Sequence, residues 1–259
     1  MIFHQPTNSR GNFNFNAYTY SKTDYAPHFH KNLELILVLE GAVTVTVDGL
    51  TQCVEKGQMA LVLSNQIHSF ALQSNTKIWV AVFSEEYVPR FSAAIQGKRG
   101  NRFVIQPEPA VLQLMMDQLV CQEASLYMKK ACFYAVCDAY LQSVQLEPRA
   151  EKSGFIVGEL LDWVAENYTQ DISLLKAAQV FGYEYHYLSR LLNQGYRISF
   201  VELVNSYRIE HACELLKTTN LPITRIMEDS GFQSIRSFNM IFYRTVGCTP
   251  REYRKQEMD

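Results

Sequence analysis

From residue 13 to residue 84 the apolar positions come in short runs with the period of a β-strand. NFNFNAYTY alternates, LELILVLEG is a run of Leu, Ile and Val, and AVTVTVDGL alternates strictly up to an Asp48-Gly49 turn. Asp-Gly between alternating segments predicts a tight hairpin, because both central residues tolerate positive φ. Gly57 then opens MALVLS, and KIWVAVFS closes the set. Several short strands separated by turn signals predict an all-β barrel or sandwich.

After Pro107 and Pro109 the period lengthens. Val111, Leu112, Met115 and Leu119, then Phe133, Val136, Tyr140, Leu141 and Val144, recur at three- and four-residue spacing. They predict amphipathic helices over about 110–123 and 126–145. EPRAEKSG, with Pro148, Gly154 and mixed charge, reads as a linker over 148–155. Two domains follow, 1–147 and 156–259, which suits a length of 259 residues.

The second half writes one pattern twice. Ser173 caps LLKAAQVF, Gly182 stops it, and YEYHYLSRLLNQ restarts; ITRIMEDS stops at Gly231, and SIRSFNMIFYRT restarts. Helix, glycine turn, helix is the grammar of a helix-turn-helix, so this half is expected to be an all-α tandem helix-turn-helix domain. In the first unit Leu188, Leu191 and Leu192 point inward, leaving Tyr185, His186, Ser189 and Arg190 outward. In the second, Phe238, Ile241 and Phe242 point in, leaving Ile235, Arg236, Asn239 and Met240 out. Such faces suit base edges in a major groove, and Arg251 and Lys255 suit phosphates. Between the units FVELVNSYRIEHACELLKTT runs without Gly or Pro, a helix of roughly 30 Å that would hold two readers about one DNA turn apart.

Charge sharpens this expectation. Residues 154–259 hold eleven Lys or Arg against thirteen Asp or Glu, a balance of −2 where a basic footprint is usual. DNA binding therefore needs charge segregation. The acids Glu159, Asp162, Glu166 and Asp171 come early, and eight of the eleven cations come at or after Arg208. Six cysteines without a C-x-x-C pair, scattered in apolar segments, suit reduced, buried thiols. With no signal-like start and no run of about 18 apolar residues, a cytoplasmic protein without a membrane partner is expected. The apolar residues Leu112, Met115, Leu119, Phe133 and Tyr140 exceed what a small barrel can cover, which predicts a homodimer through these helices.

Residues 156–255 resemble the AraC family of transcription regulators. The resemblance is carried by Ala178 four residues before Gly182, by YLSRLLNQGYRISFVELVNSYRIEHACELL, by Gly231-Phe232, by FNMIFYRTVGCTPREYRK, and by their order. It implies a bipartite domain that binds double-stranded DNA and works with RNA polymerase, with His186, Arg190, Ile235, Arg236 and Met240 where the family reads bases. Met227 replaces the usual small Ala, and Pro222 the usual Ser or Thr cap.

In the first half, HFHKNLELILVLEG and GQMALVLSNQIHSF are similar to the two motifs of a cupin barrel, as found in sensor domains that precede AraC-type readers. Leu63-Ser64-Asn65 replaces the usual Pro- and Gly-containing turn. The resemblance implies a small-molecule effector, by default a sugar, a sugar derivative or another small metabolite. His28, His30, Glu34, His68, Tyr18 and Trp79 are the candidate pocket residues. No cofactor is required by this reading, but the positions of His28, His30, Glu34 and His68 match those that hold one divalent metal in metal-bearing cupins, a donor set suited to iron, manganese, nickel or zinc. The competing class is a metal-dependent cupin enzyme with a helical appendage. A further alternative is a barrel that only dimerises.

Overall fold

The computed structural model describes residues 3–6, 8, 13–21, 24–121, 123–148 and 153–258. The chain divides into two compact units, Met1–Gly158 and Glu159–Asp259. In the first, strands β1 (Phe3–His4), β2 (Phe15–Tyr20), β3 (Tyr25–Phe29), β4 (Leu33–Glu40), β5 (Ala42–Val47), β6 (Leu50–Glu55), β7 (Met59–Val62), β8 (His68–Leu72) and β9 (Lys77–Phe83) follow one another. After helix α1 (Pro89–Ile95) come β10 (Lys98–Gly100) and β11 (Val104–Ile105). The strands form two five-stranded sheets, ordered β1-β3-β8-β5-β6 and β11-β7-β4-β9-β2.

Parity explains the two kinds of apolar run. On β4 and β9 the even-numbered Ile36, Val38, Ile78, Val80 and Val82 meet Val43, Val45 and Val47 of β5 between the sheets. The odd-numbered Leu33, Leu35, Leu37, Trp79, Ala81 and Phe83 face the other way and are also buried. A strand covered on both faces reads as continuous apolar sequence; β5, half in solvent, alternates.

The cover comes from α1, α2 (Pro109–Met115, continued by a π-helical turn over Met116–Val120) and α3 (Leu126–Ser143). Phe133 of α3 stacks on Phe83, ring centroids 3.8 Å apart. This corrects the premise of the dimer expectation. Met115, Leu119, Phe133 and Tyr140 are buried against their own chain, and Leu112 packs on the same cluster. The sheet's second apolar face had absorbed the surplus. Trp79 is corrected for the same reason, since it faces the helices and not the barrel interior.

The helices otherwise lie close to their expected places, while α1 and the β10 ladder with β12 (Leu146–Pro148) are additions. Pro148, expected in the linker, pairs with Lys98 in that ladder, and α4 (Ser153–Asn167) starts inside the expected linker; 149–152 lie outside the described residues. Cys132 and Cys137 are buried, but Cys53 and Cys121 are exposed, so burial holds for only part of the cysteine set.

The second unit is helical: α5 (Leu174–Phe181), α6 (Tyr185–Arg190, with a π-helical turn over Leu191–Tyr196), α7 (Phe200–Thr218), α8 (Ile223–Asp229), α9 (Ile235–Val246) and α10 (Pro250–Met258). Ser173 and Ser234 cap α5 and α9 by accepting from the backbone N–H three residues on. Ser199 and Glu202 make a reciprocal capping box on α7. Pro222 gives α8 no side-chain cap. Met227 fills the core with Ile226, Phe232, Phe238 and Phe242, so the larger side chain is accommodated by packing.

Both turn glycines are left-handed, with φ +68° at Gly182 and +86° at Gly231. A Cβ at Gly182 would meet nothing within 4 Å, whereas one at Gly231 would stand 2.7 Å from the Thr169 Cα. Gly182→Ala is therefore expected to cost about 1–2 kcal/mol, the penalty of a left-handed residue. Gly231→Ala adds a backbone clash and should cost clearly more in urea unfolding of the full chain. Equal losses would show that Thr169 yields.

Candidate functional site

Two sites emerge, one in each unit. In the barrel, β3 and β8 pair with His28 opposite His68, and residues 30–32 carry the chain across to β4 in the other sheet. This crossing brings His30 and Glu34 to the same point. All four side chains are at most 1% exposed, and one potential ligand atom from each lies within 4.8 Å of the others. His30 Nε2 is 3.2 Å from Glu34 Oε2, and His68 Nε2 is 3.5 Å from Glu34 Oε1. Each Nδ1 faces a backbone carbonyl two residues away: Ala26 at 3.0 Å from His28, Asn32 at 2.9 Å from His30, Gln66 at 2.9 Å from His68. The Leu63-Ser64-Asn65 turn does not move His68 away, because Gln66 Oε1 accepts from the Leu63 N–H and the Asn65 N–H donates to the His30 carbonyl.

Electrostatics divide the four. Burial, with His68 beside it, pushes His28 down to about 3, and burial also lowers His30. Burial opposes charge on Glu34 and on His68 as well, but their mutual attraction wins, holding the carboxyl well below its usual range and raising the imidazole.

Tyr18 packs inside the barrel near this centre. Sequence reasoning missed Tyr25, whose ring meets that of His28 edge-on at 4.7 Å, and Phe3, which stacks on His28 at 5.4 Å. Strict alternation puts Tyr25 on the opposite face from His28. A register shift between them removes that alternation.

In the second unit the expected reading faces are outward. Tyr185, His186 and Arg190 are exposed on α6 over buried Leu188, and Ser189 is half-buried, its carbonyl and hydroxyl both accepting from Asn193 Nδ2. On α9, Arg236 and Asn239 are exposed, with Ile235 at 41% and Met240 at 64%, above buried Phe238 and Phe242. Exposed Tyr243 and Arg244 extend this face by a turn; their three- and four-residue spacing from Met240 was the available signal. The 19 residues of α7 set the two faces apart, a helix of about 28 Å.

Several charged groups of this unit are taken up by partners within it. Arg225 holds Asp229 at 2.9 Å and Glu228 at 3.6 Å, Lys176 holds Asp171 at 3.5 Å, and Glu202 is used in its capping box. Arg208 donates to the carbonyls of Tyr168 and Gln170, and Arg254 to that of Leu221. These groups serve the fold. Arg190, Arg236, Arg251 and Lys255 remain exposed.

A β-barrel unit with a buried polar centre, followed by two helix-turn-helices on a rigid spacer, defines a DNA-binding regulator with a sensor domain. Residues 12–125 match the family described as "AraC-like ligand binding domain", and 177–256 match "Helix-turn-helix domain". The chain belongs to the AraC-type transcription regulators. It is 23% identical over 252 residues to the HTH-type transcriptional regulator YdiP of Escherichia coli (strain K12), covering 91% of this chain and 82% of that one. It is 31% identical over 249 residues to the HTH-type transcriptional regulator SAS0078 of Staphylococcus aureus (strain MSSA476), covering 90% of this chain but 33% of that one. In fold it is similar to unsaturated fatty acid-bound ToxT of Vibrio cholerae, with TM-score 0.61, 18% identity, and 95% and 96% of the two chains covered. The enzyme alternative falls, because the relatives are transcriptional regulators and the second unit is a DNA reader. Among the described residues no helix is long and apolar enough to cross a membrane.

Arg251→Ala and Lys255→Ala are expected to weaken cognate and scrambled duplexes alike, each lowering the slope of log affinity against log salt by about 1. Isotherms at several salt concentrations measure this. A loss confined to the cognate duplex would make them base readers.

Proposed function

We propose that the chain is a cytoplasmic, effector-controlled regulator that reads two half-sites about one helical turn apart, works as a homodimer, and acts on transcription through RNA polymerase. The observation that carries the reading is the pair of exposed faces, Tyr185, His186, Ser189, Arg190 and Ile235, Arg236, Asn239, Met240, held on one rigid spacer. An arginine fork matches the paired acceptors of guanine, Asn239 suits adenine, and Ile235 and Met240 suit thymine methyls.

The effector is a small metabolite bound in the barrel. The tyrosine, histidine and carboxylate groups of Tyr18, His28, His30, Glu34 and His68 favour an oxygen-rich polar molecule, such as a sugar or sugar derivative, over the acyl chain found in ToxT. Control requires that the effector bind one DNA-binding state better than the other. A compound panel screened by thermal shift and then by duplex binding tests this; if no compound that stabilises the barrel alters DNA affinity, the barrel is not a sensor.

Pairing is supported by the outer face of α3, where Tyr127, Tyr134 and Leu141 recur every seven residues and are 84%, 37% and 39% exposed. Tyr127→Glu with Tyr134→Glu should give a monomer by sedimentation at micromolar concentration. A wild-type chain already monomeric there, with and without DNA, would overturn the dimer.

Arg190→Ala and Arg236→Ala are each expected to cost about 1–3 kcal/mol on the cognate duplex and to flatten preference at one or two base pairs. His186→Ala should disturb the Arg190 half-site, and five base pairs inserted between half-sites should be worse than either arginine change. Equal weakening of cognate and scrambled duplexes would make both arginines phosphate contacts.

A further inference from the structure

Two readers on one chain must hold a fixed angle as well as a fixed separation, because a shift of one base pair along the duplex also turns the groove by about 35°. Apolar packing within the second unit supplies this only in part. The second helix-turn-helix packs on the C-terminal part of α7, through Ile209, Ala212 and Leu216. Beside the N-terminal part, a groove of about 420 Å3 lies between Phe200 and Val204 of α7 and Ser237 and Ile241 of α9. Open space of that size withholds close contacts along this side of α9.

The end of α4 is tied to the first reader. Trp163 meets the ring of Phe181, the last residue of α5, at 6.2 Å and that of Phe200, the first of α7, at 6.5 Å. The Tyr207 hydroxyl donates to the Leu161 carbonyl at 3.2 Å, and its ring stacks on that of Tyr168 at 5.9 Å. Arg208, which lines the groove, joins this body to the second reader. Its Nε donates to the Tyr168 carbonyl at 2.7 Å and its Nη2 to the Gln170 carbonyl at 2.9 Å. The guanidinium carbon stands 5.7 Å from the centre of the Phe232 ring, next to the Gly231 turn. Two bonds from one planar group to backbone oxygens fix the plane of the guanidinium, and a fixed plane restricts where the ring facing it can lie. Capping the end of α4 uses only the two carbonyl bonds. The contact with Phe232 carries the constraint across to the second helix-turn-helix.

We propose, on the reading of two half-sites above, that Arg208 is a positioning residue: it sets the orientation of the second reader relative to the first, and with it the half-site spacing that the chain accepts.

The test uses the full chain and a duplex selected from a random-sequence pool, then remade with one base pair inserted or removed between the half-sites. Active protein is counted by stoichiometric titration before each isotherm. The wild type is expected to lose at least about 10-fold on either shifted duplex, the worth of one misplaced bidentate base contact. Arg208→Met keeps an apolar stem and removes the fork, and Arg208→Lys keeps the charge without the fork. Each should lose about 10-fold on the selected duplex and bind the shifted ones within about 3-fold of it, because loosely linked readers spread their affinity over several spacings. Phe232→Leu, which leaves the two carbonyl bonds in place, should flatten the profile likewise and decides the matter where an Arg208 variant does not fold. A purely structural arginine would lower the active fraction and leave the profile sharp. A sharp profile in these variants would overturn the assignment of Arg208 alone, whereas a flat profile in the wild type would remove the two-half-site reading and the assignment with it.

Discussion

The first unit depends on burying one sheet on both faces. β4, β7 and β9 carry apolar side chains above and below, so the sheet is stable only with the opposing sheet on one side and helices on the other. At about 25 cal/mol per Å2 of apolar surface, leaving the helical side open would forfeit many side chains the size of Leu33, Trp79 and Phe83. The helices after β9 thus complete the core of the barrel unit. Tyr127, Tyr134 and Leu141, on the outer stripe of α3, stay exposed at a spacing of seven residues.

Much of this was legible because local chemistry and tertiary environment agree. The alternation of β5, the Asp48-Gly49 turn, the Ser173 and Ser234 caps and the glycine stops at 182 and 231 each have a local cause, and each stands where the pattern puts it. The failures share another cause. Whether an apolar side chain faces a barrel interior, a covering helix or a second subunit is not a property of its own segment. Trp79 and Phe133 were assigned to the wrong surface because LELILVLEG and KIWVAVF do not say what lies on either face. Tyr25 was missed because a bulge breaks the period-2 rule that would have placed it.

The DNA-binding unit has a negative net charge, and part of its acidic set is used within the fold. Four of its acids are placed in capping or in ion pairs: Glu202 at the start of α7, Asp229 and Glu228 beside Arg225, Asp171 beside Lys176. The reading helices carry Arg190 and Arg236 without an acidic neighbour in their own outward sets.

The closeness of Gly231 to the backbone at Thr169 has a consequence for modularity. Thr169 lies before the first helix-turn-helix, yet it forms the wall against which the turn of the second one is seated. The two readers are repeats in sequence but not interchangeable cassettes. A fragment beginning after residue 170 would contain every residue of the second helix-turn-helix and lack part of its support. Grafting that unit onto another protein to redirect its target preference therefore requires carrying the stretch around Tyr168 and Thr169 along with it.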